Sequence, residues 1–163
     1  MKALILILCL IFIGCKSGEP KPILYYHAQH HSYAEAVEKG FKSWGLPVKR
    51  LDEPVRNCLF VVEQSGEIDG DQGIYYPDIK TIFINTNSRQ YKKIIYEDYG
   101  YRYEGELPFN ATHAACIAAH EFGHYLGLEH NMERDSIMDI THVNYINPSE
   151  KDKERARNIY YKK

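Results

Sequence analysis

Charge of one sign, internal repeats, low-complexity tracts and long hydrophobic runs are all scarce in this chain of 163 residues. Its 20 lysines and arginines meet 22 acids, a net charge of −2. No basic surface for a nucleic-acid backbone is expected. The sustained apolar run at residues 3–13 is about half of the roughly 20 residues that a bilayer span needs. Preceded by Lys2, it reads instead as the core of a secretory signal. Residues 16–22 carry Gly18, Pro20 and Pro22 and too little apolar content to fold, so they form a flexible tether. The remaining chain, residues 23–163, has an ordinary globular composition and suits one compact domain. Of four cysteines, Cys9 leaves with the signal and Cys15 stands at its end. Cys58 and Cys116 remain, in a compartment where a disulfide is open to them and in apolar contexts where free thiols also pack well.

What the chain does have is a dense run of chemistry: His120-Glu121-Phe122-Gly123-His124-Tyr125-Leu126-Gly127-Leu128-Glu129-His130. As a helix, it puts His120 and His124 on one face, one turn apart, close enough to share a metal ion. Glu121 sits beside the first of them, where its carboxylate can reach a water at the metal. His130 cannot join from the same helix, because ten residues would carry it roughly 15 Å along the axis. The helix must stop and turn back, and Gly127 is the residue that can take the left-handed conformation required. Ser136-Ile137-Met138 follows eight residues after His130.

The pattern H-E-x-x-H-x-x-G-x-x-H followed by a methionine turn resembles the metzincins. Residues 118–138 look like their matrixin branch, the zinc endopeptidases that include the matrix metalloproteinases. Ile140 stands where astacin-like and serralysin-like relatives place a tyrosine ligand, which favours the matrixin side. Asn131 departs from the serine more usual there. The resemblance implies an α+β single domain: a twisted mixed sheet, a backing helix, a zinc-binding active-site helix and a C-terminal helix. It implies one catalytic zinc held by His120, His124 and His130, with Met138 in the turn beneath. Three histidines leave a fourth zinc position for water. Glu121 is then the general base that takes its proton and later passes it to the leaving amine of a cut peptide. The strand over the cleft is carried to Thr81–Asn85, with Thr81, Ile82, Phe83 and Ile84 pairing an extended substrate through backbone bonds. Tyr145 would help wall the pocket for the residue just after the cut bond. Protein or peptide substrates are expected, and a monomer.

Residues 12–15, Phe12-Ile13-Gly14-Cys15, resemble the lipobox of bacterial lipoproteins, although leucine is usual at the first place. The resemblance implies removal of residues 1–14, acylation of Cys15 as the first mature residue, and attachment to the cell envelope. Lys16 after the cysteine resembles lipoproteins sorted to the outer membrane or cell surface. Several acyl chains anchor a protein stably where one does not.

Elsewhere the pattern gives a scaffold. Ile23-Leu24-Tyr25-Tyr26 reads as a first strand. Ser32 and Glu35 form a capping box for a helix whose apolar stripe is Tyr33, Val37, Phe41 and Trp44. Residues 59–62, 73–76 and 81–85 read as strands, the last two joined by a Pro77-Asp78 turn. The acidic loop 66–73 could hold calcium, as loops do in matrixin domains, but its oxygen ligands are too few and irregular to support it. Residues 86–110, rich in tyrosine, precede the zinc helix. Asn110 caps that helix and Ser149 caps the last one. His27, His30 and His31 read as solvated surface, and His113 as polar surface or a hydrogen-bonded residue. No Pro-Arg-Cys-Gly segment is present, so latency through that cysteine switch is not expected. Two other readings fit the motifs: a non-catalytic metal-binding or adhesive surface lipoprotein, and a zinc amidase acting on cell-wall peptides. Retention of Glu121 argues against pure binding, which needs no carboxylate beside the ligands.

Cys15→Ser should abolish lipid attachment and move the protein out of the detergent phase. Mass spectrometry of the native N-terminus checks this: an unmodified first residue downstream of Cys15 contradicts the anchor.

Overall fold

The computed structural model describes residues 23–28, 33–64, 72–87, 90–96, 101–107, 109–133, 135–139 and 147–162. Cys15, Tyr145 and the aspartates of the acidic loop, Asp69 and Asp71, lie outside them. The order of elements is β1 (Leu24–Ala28), α1 (Ala34–Lys42), β2 (Val48–Arg50), β3 (Leu59–Gln64), β4 (Gly73–Tyr76), β5 (Thr81–Asn85), β6 (Gln90–Tyr96), β7 (Tyr101–Leu107), α2 (Ala111–Leu126) and α3 (Glu150–Tyr160). This is the α+β architecture expected, with a mixed sheet and three helices. No helix among the described residues is long and apolar enough to cross a membrane.

The five-stranded sheet runs β2-β1-β3-β5-β4. Its first four strands are parallel, and β4 pairs antiparallel with β5 from Gly73↔Ile84 to Tyr76↔Thr81. This order corrects one expectation. Thr81–Asn85, expected to pair a substrate over the cleft, is an interior strand rather than the sheet edge that such pairing needs, because β3 occupies one side of it and β4 the other. Its ladder is spent, and Ile82 and Ile84 are fully buried. The edge beside α2 is β4. The clue was present in sequence: Thr-Ile-Phe-Ile is apolar on both faces, as an interior strand is, whereas Gly73–Tyr76 stops at Pro77, a residue confined to sheet margins.

Alternation places Tyr26, Ala28, Leu59, Val61, Ile82 and Ile84 in the core with Val37, Phe41 and Trp44 of the α1 region and with Phe122 of α2. Phe41 and Phe122 stack with ring centroids 4.3 Å apart. Of the helical stripe foreseen at Tyr33, Val37, Phe41 and Trp44, the last three are core, each side chain fully buried, while Tyr33 is half-buried. The cap differs, however. Tyr33 is the N-cap and makes no side-chain cap bond, while Ser32 lies outside the described residues. Tyr33 packs instead edge-on against Phe109, and its N–H donates to Glu63. The tyrosine-rich stretch contains a separate two-stranded ladder, β6 with β7. Cys58 and Cys116 are not joined by a disulfide.

The helices α1 and α2 cross at Gly40, where an added Cβ would collide with the Ala115 carbonyl oxygen. Backbone cannot step aside as a flexible side chain can. Gly40→Ala should therefore cost about 1–3 kcal/mol through overpacking, outweighing the ~0.5–1 kcal/mol that alanine gains within a helix. A thermal melt that rises rather than falls contradicts this crossing.

Candidate metal centre

The helix that carries the first two histidines is well specified. The Asn110 side chain accepts from the His113 N–H at 3.0 Å, capping the first turn as expected. Alanines then give strong helix propensity. At the other end Gly127 adopts φ 99°. The Leu128 N–H returns to the Gly123 carbonyl at 3.0 Å and the Gly127 N–H to the His124 carbonyl at 2.9 Å, a Schellman closure. The chain reverses there, and His130 comes back over the helix.

The three imidazoles converge. His130 Nε2 lies 3.1 Å from His120 Nε2 and 3.1 Å from His124 Nε2. The outer nitrogens fix what those Nε2 atoms are. His120 Nδ1 donates to the Ile137 carbonyl at 2.7 Å, and His124 Nδ1 donates to the Leu128 carbonyl at 2.9 Å. A carbonyl has no proton to give, so in the neutral rings both Nδ1 atoms carry the hydrogen and both Nε2 atoms present bare lone pairs inward. Two bare nitrogens with the His130 nitrogen 3.1 Å from each suit a cation among them. Tetrahedral zinc with nitrogen at about 2.0–2.1 Å sets its donors roughly 3.3–3.4 Å apart, close to the spacing here. The residues fit a zinc ion. Burial lowers the His120 pKa to about 4, against the raising effect of the Ile137 bond and with help from the neighbouring His124 and His130. Burial lowers His124 as well, opposed by its Leu128 bond. Both rings are thus held neutral, the form that ligates metal.

Met138 is fully buried beneath the helix. A Cβ at Gly123 would lie 2.5 Å from the Met138 sulfur and 3.0 Å from the Trp44 ring, so glycine within the motif is a packing requirement. The Trp44 indole N–H also donates to the Ala119 carbonyl at 2.9 Å, beside the first ligand. Glu121 is buried and lies against the start of β4: an added Cβ at Gly73 would sit 3.2 Å from Glu121 Oε1. The candidate base thus occupies the seam between the metal helix and the edge strand. Thr81, Ile82, Phe83 and Ile84 lie one strand further in.

Two features went unread in the sequence. Of the two settings expected for His113 the structure has the hydrogen-bonded one, but its full burial and its partner were not foreseen: Nε2 lies 3.0 Å from Gln72 Oε1, tying α2 to the entry of β4. Asp152, expected only as part of a helix cap, reaches Ser136 and Ile137 of the methionine turn. Its place in a capping box accounted for it locally, and nothing nearby signalled the second role.

The fold is a mixed sheet with crossing helices, and it brings three imidazoles together where one metal ion could be held, with the buried Glu121 next in sequence to the first of them. Residues 58–161 match the matrixin family, and the chain belongs to that family of zinc-dependent peptidases. Among solved structures, a zinc-dependent peptidase from Methanocorpusculum labreanum (strain Z) is similar over 85% of this chain and 100% of its own, at 13% identity and a TM-score of 0.49. No curated protein matches the chain.

His130→Ala should weaken zinc binding by more than about 100-fold, beyond the loss that follows removal of a ligand's hydrogen-bond partner. Elemental analysis after dialysis checks it, and undiminished zinc would remove His130 from the centre.

Proposed function

We propose that the protein is a zinc-dependent endopeptidase, with His120, His124 and His130 holding the ion and Glu121 acting as general base and acid. The observation that carries this reading is the buried Glu121 carboxylate. It directly follows the first of the convergent imidazoles in the chain, and it lies against the edge strand where a peptide can lie. Zinc, when bound, supplies an open position that acidifies water and polarises a carbonyl. Glu121 accepts the proton of the attacking water and delivers it to the leaving nitrogen. Its burial excludes bulk water from that transfer.

Substrate orientation falls to β4. An extended peptide adds to the edge of Gly73–Tyr76 by backbone hydrogen bonds, which are blind to side chains and run along the strand. A chain bound this way continues past the metal in both directions, which favours cutting within a peptide rather than at an end. Tyr145 is assigned to the wall of the pocket beyond the cut bond. The enzyme is placed on the bacterial cell envelope through an acylated Cys15, so its substrates are proteins or peptides that reach that surface.

Glu121→Gln keeps the shape and the three ligands and removes the shuttle. Zinc content and melting temperature should stay at the parent values while cleavage of a quenched peptide falls about 10²–10⁴-fold. A variant that cleaves as fast as the parent excludes Glu121 as the base. A parent that cleaves nothing in a broad peptide library favours the binding-protein reading.

A further inference from the structure

Among the described residues, the most exposed large apolar side chain is that of Met132, at 81%. It follows the third histidine by two positions, so its Cα lies within about 7 Å of that of His130. The domain's other methionine, Met138, is fully buried.

Exposed apolar residues scattered singly are ordinary. This one differs in how its backbone is held. On one side, Asn131 donates its N–H to the Met138 carbonyl at 2.9 Å and its Nδ2 to the Ser136 hydroxyl at 2.9 Å. On the other, the Glu133 carboxylate accepts from Arg155 Nη2 at 2.6 Å and from Lys151 Nζ at 2.8 Å, and its carbonyl accepts from the Ser136 N–H at 2.8 Å. Asn131 Oδ1 then takes the Glu133 N–H at 3.0 Å, an Asx turn with Met132 at its middle. The backbone at Met132 is therefore fixed from both sides, while its side chain stands in solvent. The turn itself does not call for methionine, because its bonds come from the residues on either side. What stands there is a flexible, polarisable side chain of the kind that adapts to partners of differing shape. Its setting is polar, with Glu129, His130 and Asp135 all exposed.

We propose that Met132 is a substrate-contacting residue, an apolar grip beside the metal that selects peptides carrying a large apolar side chain near the cut bond. The inference rests on the endopeptidase reading and names the substrate class for the same site. Backbone pairing along β4 is blind to side chains, so selectivity comes from other contacts. Met132 supplies one by covering apolar surface that it and the peptide otherwise leave in water. An unbranched thioether moulds itself to leucine, methionine and phenylalanine alike, so the preference is for size and apolarity rather than for one residue. The contact lies away from the reacting atoms. It therefore acts alike on ground and transition state and shows in KM rather than in kcat.

The test uses the full chain with Met132→Leu, Met132→Ser and Met132→Glu, read on a positional-scanning library of quenched peptides. Zinc content and thermal melting should match the parent in all three, because the side chain is exposed. Met132→Leu should keep the parent's preference. Met132→Ser should raise KM about tenfold for peptides with the favoured apolar residue, the low end of what a lost apolar contact costs. Its kcat should stay at the parent value, and peptides with glycine at that position should be cut as before. Met132→Glu should lose the same apolar preference and gain one for lysine or arginine at the same position. Serine and glutamate variants with the parent's KM and the parent's profile overturn the contact. A uniform fall in kcat on every peptide overturns it too, since that marks a role in the fold or the metal centre. A parent that holds zinc yet cleaves no peptide fails at the endopeptidase reading, and the contact falls with it. A parent that cleaves, with variants that match it, fails at Met132 alone.

Discussion

Two hydrogen bonds from imidazole to backbone carry the site: His120 to the Ile137 carbonyl and His124 to the Leu128 carbonyl. They settle which nitrogen bears the proton, and so which one faces the ion. Neither acceptor exists without a chain reversal. Leu128 is brought back by the left-handed turn at Gly127, and Ile137 is raised beneath the helix by the methionine turn. The helix supplies ligand spacing, but the two turns supply ligand state. The core serves the same end, since Trp44 and Met138 fill the space under Gly123 and set the height of the helix over the turn.

Much of this centre was legible from residues 120–138 because its information is local. Spacing of four gives a shared helical face, a glycine gives the reversal, and the third histidine follows at a distance that only a reversal explains. The caps at Asn110 and Ser149 were legible for the same reason: each is a contact within one turn of its helix. Strand order was legible only as a hint, in the two apolar faces of β5 and the proline after β4. Whether β4 or β5 lies outermost depends on which strand β3 selects, a pairing between segments some twenty residues apart, and both carry apolar residues. β2 spans three residues, too few for a period to register. In β6 the tyrosines fall at both phases, Tyr91 and Tyr96, which hides the alternation that marks a strand.

Long-range polar contacts were the other silent class. His113 looks like an ordinary residue in a first helical turn, and its burial depends on Gln72, remote in sequence. Asp152 satisfies a local motif completely, so the reach of its carboxylate to Ser136 leaves no trace in the residue pattern. In both cases a side chain that a local rule already explains has a second partner supplied by the fold.

The brevity of β4 has a consequence of its own. An open strand edge is a template for any extended backbone, including that of another copy of the same protein, and long exposed edges invite fibrous growth. Four residues closed by Pro77 offer only a few backbone groups on that side. Such an edge can grip a peptide that also touches the metal, yet by itself it holds a neighbouring chain too weakly to nucleate a stack. An edge short enough to discourage stacking is thereby one on which only a ligand with a second point of attachment will stay.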